Sequence, residues 1–387
     1  MNSKQFETAK MCLKVVTPIN IADGIVLGAK DYLYDSRRQK VYFLNLHQWH
    51  MFIYKHMLLE KYESYLANFR DKQSLLEWLR MQGYDIDDVR TVITSEALAT
   101  VNLMDSERKK TLNDISRHIQ QPDGSLYVPG SSIKGVFRTA ILYSLLQKRQ
   151  DIKVKYWRQI QEKISSNYFK PYRDFNKLIS DLENELLHTL RLLDGNIRSN
   201  NAVCSAMRGL QVSDTYASRN MQTAILQKVD GGFDKFGKAS PKKLPIFREC
   251  MLPEAELFFD VKIEKAVMNT IGINSVVDLL KATHSFFAAV TDLLQQAFGK
   301  EYQEAFQGVA AGNMFLGGNT GFLSKTLLAM LAPDKDTAKN TIKVLLDKSF
   351  KTHKHLLRDK IIAPRTLKCT NYNGKLMLMG VAEVRKV

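Results

Sequence analysis

The sequence is poor in features that would place a protein in a membrane or outside the cell. No uninterrupted apolar run reaches the roughly 18 residues expected of a membrane-spanning helix, and Met1–Glu7 has no apolar signal region. The 387 residues include only four cysteines, none spaced from another like metal ligands. These shortages disfavour a disulfide-based fold, and we expect a cytoplasmic protein with reduced thiols.

Motifs for common catalytic chemistries are also missing. The sequence has no GxSxG, HExxH or paired Cys–His arrangement. A Walker A loop is excluded because Lys325 does not directly follow a glycine, and GxGxxG spacing is absent as well. His47 and His50 lie one helical turn apart, without a carboxylate or thiol at ligand spacing. The sequence therefore predicts no catalytic residue, no metal and no cofactor.

Positive charge is abundant where catalytic motifs are scarce. The chain has 56 Lys and Arg residues against 40 Asp and Glu, a formal net charge of +16. The cations cluster, notably in the helical block at about 152–192 and in the glycine-rich segment 228–243. An excess of this size favours a polyanionic partner, either nucleic acid or an anionic membrane surface.

The most informative segment is Tyr127–Thr139, which is typical of a strand end, a turn at Pro129–Gly130 and the start of a helix. Two serines are expected at the N-cap. Helix N-termini favour phosphate, and side chains one turn apart face the same ligand. The groups in question are Ser131, Ser132, Lys134 and Arg138. Spacing alone leaves an anion site and a simply capped helix with exposed cations both open.

Other segments supply the expected framework. A glycine loop at 317–325, followed by a helix to about 331, is either a second backbone-binding loop or a plain turn. Alternating and β-branched stretches predict strands at 11–16, 32–35, 41–44, 210–214, 246–252 and 256–263. Helical periodicity predicts helices at 47–82, 131–149, 152–192, 274–300 and 338–358. An Asn-Gly turn predicts a closing hairpin within 366–385.

Four of these segments together resemble the RAMP superfamily of CRISPR-associated proteins. They are Val15–Gly24, Val128–Thr139, Leu210–Asp214 with Phe247–Glu249, and the loop Gly317–Lys325. Their order and near-full-length coverage are most similar to the member that caps the crRNA 3′ end in the type III-A effector complex. The sequence lacks the aromatic RNP1 signature of an ordinary RRM.

The resemblance implies an α+β fold with a ferredoxin-like, RRM-related core. This core would span 1–265, with helical insertions at about 47–120 and 150–195 and a thumb-like protrusion at about 222–245. Residues 266–387 would form a helical C-terminal region with the glycine loop and the closing hairpin. The implied RNA-binding residues are Ser131, Ser132, Lys134, Arg138, Gly317, Gly318, Asn319, Lys325, Arg219, Lys235 and Lys238.

The implied function is a non-catalytic crRNA-binding subunit that supports crRNA maturation and antiviral defence. Its expected partners are crRNA, target RNA, neighbouring RAMP backbone subunits, small helical subunits and host nucleases, with no membrane. The segment Gly24–Asp31 does not match the catalytic loop of the family's target-cutting subunits. Two alternatives stay open: a ribonuclease that trims crRNA itself with Asp31 or His50, and a scaffold that recruits a separate nuclease.

Overall fold

The computed structural model of the chain describes residues 5–68, 73–99, 112, 114–166, 168–191, 200–217 and 221–387. The strands are β1 (Phe6–Val15), β2 (Ala22–Leu27), β3 (Tyr32–Asp35), β4 (Lys40–Leu44), β5 (Ile93–Ala99), β6 (Ile115–His118), β7 (Leu210–Val212), β8 (Tyr216–Ala217), β9 (Thr223–Gly231), β10 (Lys242–Met251), β11 (Glu256–Glu264), β12 (Met314–Phe315), β13 (Leu367–Tyr372), β14 (Lys375–Leu378) and β15 (Val381–Lys386). The helices are α1 (Leu46–Lys55), α2 (Leu59–Ala67), α3 (Leu75–Met81), α4 (Gly130–Lys148), α5 (Gln150–Ser165), α6 (Pro171–Leu187), α7 (Lys265–Met268), α8 (Val276–Phe298), α9 (Leu328–Leu331), α10 (Lys335–Ser349) and α11 (His355–Arg358).

The first sheet contains a ferredoxin-like core. Its strand order is β12-β15-β1-β11-β7, and these neighbours pair antiparallel. In chain order, β1, α4, β7, β11, α8 and β15 form a β-α-β-β-α-β unit whose first, second, third and fourth strands lie in the spatial order 4-1-3-2. This arrangement confirms the α+β, ferredoxin-like fold predicted from the sequence.

One hydrophobic core joins this sheet to its two helices. Met11 and Leu13 of β1, which alternate with Cys12 on the opposite face, are fully buried in the same cluster as Phe137 of α4. Helix α8 packs on α4, where the rings of Tyr143 and Phe286 lie 5.5 Å apart. The alternation along β1 and the helical period of α4 therefore face the same interior.

A second sheet is assembled from the connections of the core. Among the described residues it has nine strands, in the order β2-β6-β10-β9-β5-β4-β3, with β13 paired to β9 and β14 to β13. These strands come from three separate connections: β1 to α4, β7 to β11, and α8 to β15. The expected boundary at 265/266 lies inside the ferredoxin-like unit, because α8 and β15 follow it in the chain.

The segment at 222–245 is mainly sheet and only partly a protrusion. Strand β9 pairs with β10, β5 and β13, and its Ala224 and Ile225 are fully buried. The tip at 234–243 is exposed along its whole length, and at its base the ring of Phe233 stacks on that of Phe298 at 5.4 Å. The glycines and lysines near the tip dominate the composition, which hides the alternating buried residues of β9.

Residues 47–120 also differ from a purely helical insertion. Helices α1 to α3 form a satellite core around Trp49 and Trp78, but β5 and β6 follow within the same stretch. Strand β5 pairs with β4 and, in parallel, with β9, more than 120 residues further along the chain. These distant partners, rather than local periodicity, stabilise β5 as a strand.

The start of α4 is fixed by a close backbone contact with β7. A Cβ on Gly130 would lie 2.4 Å from the carbonyl oxygen of Val212, and the Gly130 N–H donates to Asp214 Oδ1 at 2.7 Å. The helix begins at Gly130 without a side-chain cap, so the expectation that Ser131 or Ser132 is the N-cap was wrong. The Asp214 carboxylate therefore already accepts a hydrogen bond from one of the free N–H groups at this end of the helix.

Replacing Gly130 tests this contact. We expect Gly130→Ala to lower the free energy of unfolding by about 2 kcal/mol, because its methyl group would collide with backbone that cannot move aside. Gly135→Ala is the matched control, since a Cβ there meets nothing within 4 Å. The control should be neutral or stabilising by up to about 1 kcal/mol. Urea denaturation followed by circular dichroism measures both, and equal effects would contradict the contact.

Candidate nucleic-acid interface

A groove of about 320 Å³ opens beside the first half of α4. It lies between α4, the β1–β2 connection (residues 16–21), α8 and the glycine loop (Gly317–Lys325). The lining residues are Ile21, Ala22, Ser132, Gly135, Val136, Thr139, Phe286, Phe315, Leu316, Gly317, Gly318, Ser324 and Lys325. The α4 members follow helical spacing and share one face of the helix. The groove therefore joins two of the motifs found in the sequence.

A buried asparagine connects the glycine loop to the rest of this site. Asn20 is fully buried, and its backbone oxygen accepts the N–H of Gly318 at 2.7 Å. Its Nδ2 donates to the Glu249 backbone oxygen at 2.8 Å, and its Oδ1 accepts from Arg248 Nη1 at 3.0 Å. A Cβ on Gly317 would lie 2.4 Å from the same Asn20 oxygen. Glycine is thus needed here for the close approach of two loops.

This geometry changes the expected role of the glycine loop. The loop ends in a single 3-10 turn, Leu323–Lys325, and the four-residue α9 follows, so the predicted helix to residue 331 was wrong in extent. The Gly318 N–H is already used by Asn20 and does not face a phosphate. The loop instead presents the cationic side chain of Lys325 at the groove.

Four cations lie near one another at this site with little compensating negative charge. We call Arg248, Lys325, Lys228 and Lys368 the cation cluster. Lys368 Nζ lies 2.9 Å and Lys228 Nζ 3.7 Å from the single carboxylate of Asp230. Within the described residues, Arg248 and Lys325 form no ion pair, and Arg248 Nε is buried without a hydrogen-bond partner.

The pKa shifts report the same excess of positive charge. Burial lowers the pKa of Lys325, and the positive charge of Arg248 lowers it further. Burial also lowers the pKa of Lys228, with the charges of Lys368 and Arg248 acting in the same direction against Asp230. Holding these groups protonated close together costs free energy that a bound anion would offset.

The other RNA-binding residues suggested by the sequence are distributed differently. Ser132, Gly317, Gly318 and Lys325 line the groove, whereas Ser131, Lys134 and Arg138 are not among its lining residues. Arg138 Nη1 lies 3.7 Å from Glu183, and burial lowers the pKa of Lys134.

The remaining candidates lie elsewhere. Asn319 Nδ2 contacts the Met379 sulfur at 2.9 Å, and Lys235 and Lys238 are on the exposed tip at 234–243. Arg219 lies outside the described residues.

Several residues of the site were not selected from the sequence. Asn20 and Arg248 belong to segments that carry the family resemblance, but nothing in their spacing showed that they touch. Lys228 and Asp230 lie two residues apart on β9, and the pairing of β13 with β9 brings Lys368 to the same carboxylate. No local signal identifies such a cluster, because its members are up to 140 residues apart in the chain.

The ribonuclease alternative would use Asp31 or His50. The Asp31 carboxylate accepts the Gly28 N–H at 2.7 Å and closes a tight turn. His50 is exposed on α1. Among the described residues, no group of three His, Cys, Asp or Glu side chains is placed to hold a metal ion.

No helix in the described part of the chain is both long and apolar enough to span a membrane.

The class of the protein follows from a comparison with known families. The RAMP superfamily matches residues 12–321, most of the chain, so this protein belongs to the RAMP superfamily. The family predicted from the sequence motifs is thereby confirmed.

Particular relatives are similar over nearly the whole length. The Csm5 protein of the CRISPR system of Mycobacterium tuberculosis is 26% identical, covering 98% of this chain and 97% of the relative. The Csm5 protein of Enterococcus italicus is 23% identical, covering 88% and 85%.

Two solved structures share the fold. A chain of a Csm–crRNA–target RNA ternary complex from a type III-A CRISPR–Cas system has a TM-score of 0.65 at 17% identity, covering 98% of this chain and 100% of that one. The crystal structure of T. onnurineus Csm5 has a TM-score of 0.57 at 18% identity, covering 96% and 99%.

Removing the one carboxylate of the cation cluster tests its electrostatics. We expect Asp230→Asn to lower the free energy of unfolding by about 2 kcal/mol at pH 7, because two partly buried ammonium groups lose their shared partner. The difference in the free energy of unfolding between the wild-type protein and Asp230→Asn should shrink as the pH approaches 10. The reason is that the folded protein releases the Lys228 proton more readily than the unfolded chain. Urea denaturation at several pH values measures both effects.

Asp336→Asn is the matched control. Asp336 is also paired with a lysine, but its side chain is 84% exposed. Its loss should change the free energy of unfolding by less than about 0.5 kcal/mol. Equal effects of the two substitutions would show that the cluster carries no excess positive charge.

Proposed function

We propose that this protein is a non-catalytic crRNA-binding subunit of a type III-A CRISPR effector complex, which caps the backbone filament at the crRNA 3′ end. Membership of the RAMP superfamily and near-full-length similarity to Csm5 proteins support the assignment. Its partners would be crRNA, target RNA, neighbouring RAMP backbone subunits and small helical subunits, with host nucleases acting in crRNA maturation.

The observation that carries the proposal is the uncompensated positive charge beside the groove. Phosphate groups in the groove would lie near Lys325 and within the field of Arg248, and their negative charge would offset the repulsion inside the cation cluster. Ser132 adds a hydroxyl on the opposite wall. Contacts of this kind position an RNA backbone and carry little sequence information.

The apolar part of the groove suits the same ligand. Phe286, Phe315 and Val136 line the wall and floor beside the cations. A nucleotide has an apolar sugar face next to its phosphate, so a groove with both kinds of surface matches one strand of RNA. The exposed tip at 234–243, with Lys235 lying over the ring of Phe236 at 4.8 Å, would supply a further contact to the RNA.

The non-catalytic assignment rests on the surroundings of the acids and histidines. Asp31 Oδ2 accepts the Gly28 N–H at 2.7 Å and shapes the turn there, which gives this carboxylate a structural role. His118 is buried, and burial lowers its pKa to about 4, so it is neutral at physiological pH. We therefore assign the protein a binding role and leave crRNA trimming to a separate nuclease.

Substitution of Lys325 tests the groove as the RNA site. We expect Lys325→Ala to weaken binding of single-stranded RNA about 3- to 10-fold at 100 mM salt, and to reduce the salt slope of log K by about 0.7. Fluorescence anisotropy with labelled RNA of crRNA length measures both. Lys300→Ala is the matched control, because Lys300 is exposed and outside the groove lining.

A second variant tests the two cations of α4 that lie outside the groove lining. The double substitution Lys134→Ala with Arg138→Ala should also weaken binding without unfolding the protein. An unchanged affinity and salt slope in Lys325→Ala would contradict the groove as the RNA site.

The bound RNA should stay intact with or without EDTA, and cleavage that Asp31→Ala abolishes would favour the ribonuclease.

A further inference from the structure

A small apolar pocket of about 160 Å³ opens between α8, α9 and α10. Its lining is mainly aliphatic and includes Leu293 of α8, Ile342 of α10 and the half-exposed Ile361. Lys335 and Lys339 also line it, but each is already paired with an exposed aspartate. An apolar cavity of this size accommodates one aromatic or branched aliphatic group. The pocket therefore suits a single apolar side chain.

The chain that leads into the pocket is strongly basic. We call residues 350–361 the basic segment. Its lysines and its arginine are all exposed: Lys351, Lys354, Arg358 and Lys360. Its one acidic residue, Asp359, is fully buried and accepts a hydrogen bond from Arg365 Nη1 at 2.8 Å. The basic segment thus presents cations and no carboxylate to a partner, so it is complementary to negative charge.

The basic segment also exposes apolar side chains. Leu356 and Leu357 of α11 are 53% and 71% exposed. His355 and Asp359 lie one helical turn apart and are both buried, so Leu357, midway between them, points away from the interior. Leu357 and Ile361 are four residues apart, which places their Cα atoms within about 14 Å of each other. Exposed leucines and cations therefore lie within a short distance of the pocket.

Three kinds of partner supply negative charge: RNA, an anionic lipid surface and an acidic protein segment. RNA bases stack on aromatic rings, and leucine side chains supply no such platform. A lipid surface is broad, whereas the pocket is a recess for one side chain. An acidic peptide presents carboxylates and separate apolar side chains on one chain, so it matches the cations, the exposed leucines and the pocket together.

We propose that the pocket and the basic segment form a docking site for an acidic segment of a partner protein, which seats one apolar side chain in the pocket. The site is additional to the RNA-binding groove, and the inference does not rest on the proposed function. The two sites meet at the 3-10 turn Leu323–Lys325, because Leu323 lines the pocket and Lys325 lines the groove. The partner would therefore be held beside the groove.

Synthetic peptides bound to the full chain test the site. The probe is a fluorescein-labelled peptide of glutamates with two spaced leucines, and its control replaces both leucines with serine at the same charge. Fluorescence anisotropy at fixed salt should give the leucine peptide a Kd at least about tenfold lower, the ratio that burial of one leucine side chain produces. Equal affinity for the two peptides would overturn the proposal, because charge alone would then account for binding.

Substitutions locate the binding on the protein. Ile361→Ser should reduce the preference for leucine to less than about threefold, because the pocket loses part of its apolar lining. Val277→Ser is the matched control and should keep the preference, since Val277 is 52% exposed near the other end of α8. Arg358→Glu should weaken binding of both peptides about 3- to 10-fold, and it covers the case in which Ile361→Ser does not fold. Lys61→Glu, at an exposed position of α2, should preserve both affinities.

Other occupants give distinct outcomes. Loss of affinity for single-stranded RNA, but not for the leucine peptide, in Arg358→Glu would assign the basic segment to RNA. Co-sedimentation of the wild-type protein, but not of Ile361→Ser, with phosphatidylserine vesicles, without a preference for the leucine peptide, would assign it to a lipid surface. Either result would overturn the proposal, as would a leucine preference that Ile361→Ser and Val277→Ser leave equally unchanged.

Discussion

The fully buried side chain of Asn20 holds the site together. Through its backbone oxygen and its side-chain amide, Asn20 joins the β1–β2 connection to strand β10 and to the glycine loop, both more than 200 residues further along the chain. A buried amide left without these partners would cost about 1–3 kcal/mol for each unpaired group. The same hydrogen bond positions the Arg248 guanidinium, and with it the electrostatic field that Lys325 experiences. The position of the cations therefore depends on the hydrogen bonds that Asn20 makes with strand β10 and the glycine loop.

The ferredoxin-like unit explains why these loops meet. Its three long connections each contribute strands to the second sheet, so the insertions are bound to one another rather than attached separately. The groove lies where α4, α8 and the glycine loop converge. An RNA strand in the groove would lie beside Phe315 of the first sheet and Ala22 of the second.

The sequence predicted what local patterns determine. Helices α4 and α8 and the hairpins β3–β4 and β13–β14 have periodic faces or turn residues, and all were expected near their observed positions. Strand β5 was not expected, because its partners are distant, and β9 was taken as a protrusion because lysines and glycines surround it. In the site, Lys325 and Ser132 were found through motifs. The shared carboxylate of Asp230 depends on tertiary strand pairing that no spacing in the sequence reveals.

The central claim is that RNA lies in the groove between α4 and the glycine loop. Photo-cross-linking of the full chain to RNA containing 4-thiouridine, followed by mass spectrometry of the linked peptides, tests it most directly. The account predicts cross-links in the peptides that contain residues 20–23 and 316–325, because both ranges include lining residues of the groove. Cross-links confined to the outer surfaces of α5 and α6, with none in those two peptides, would contradict it.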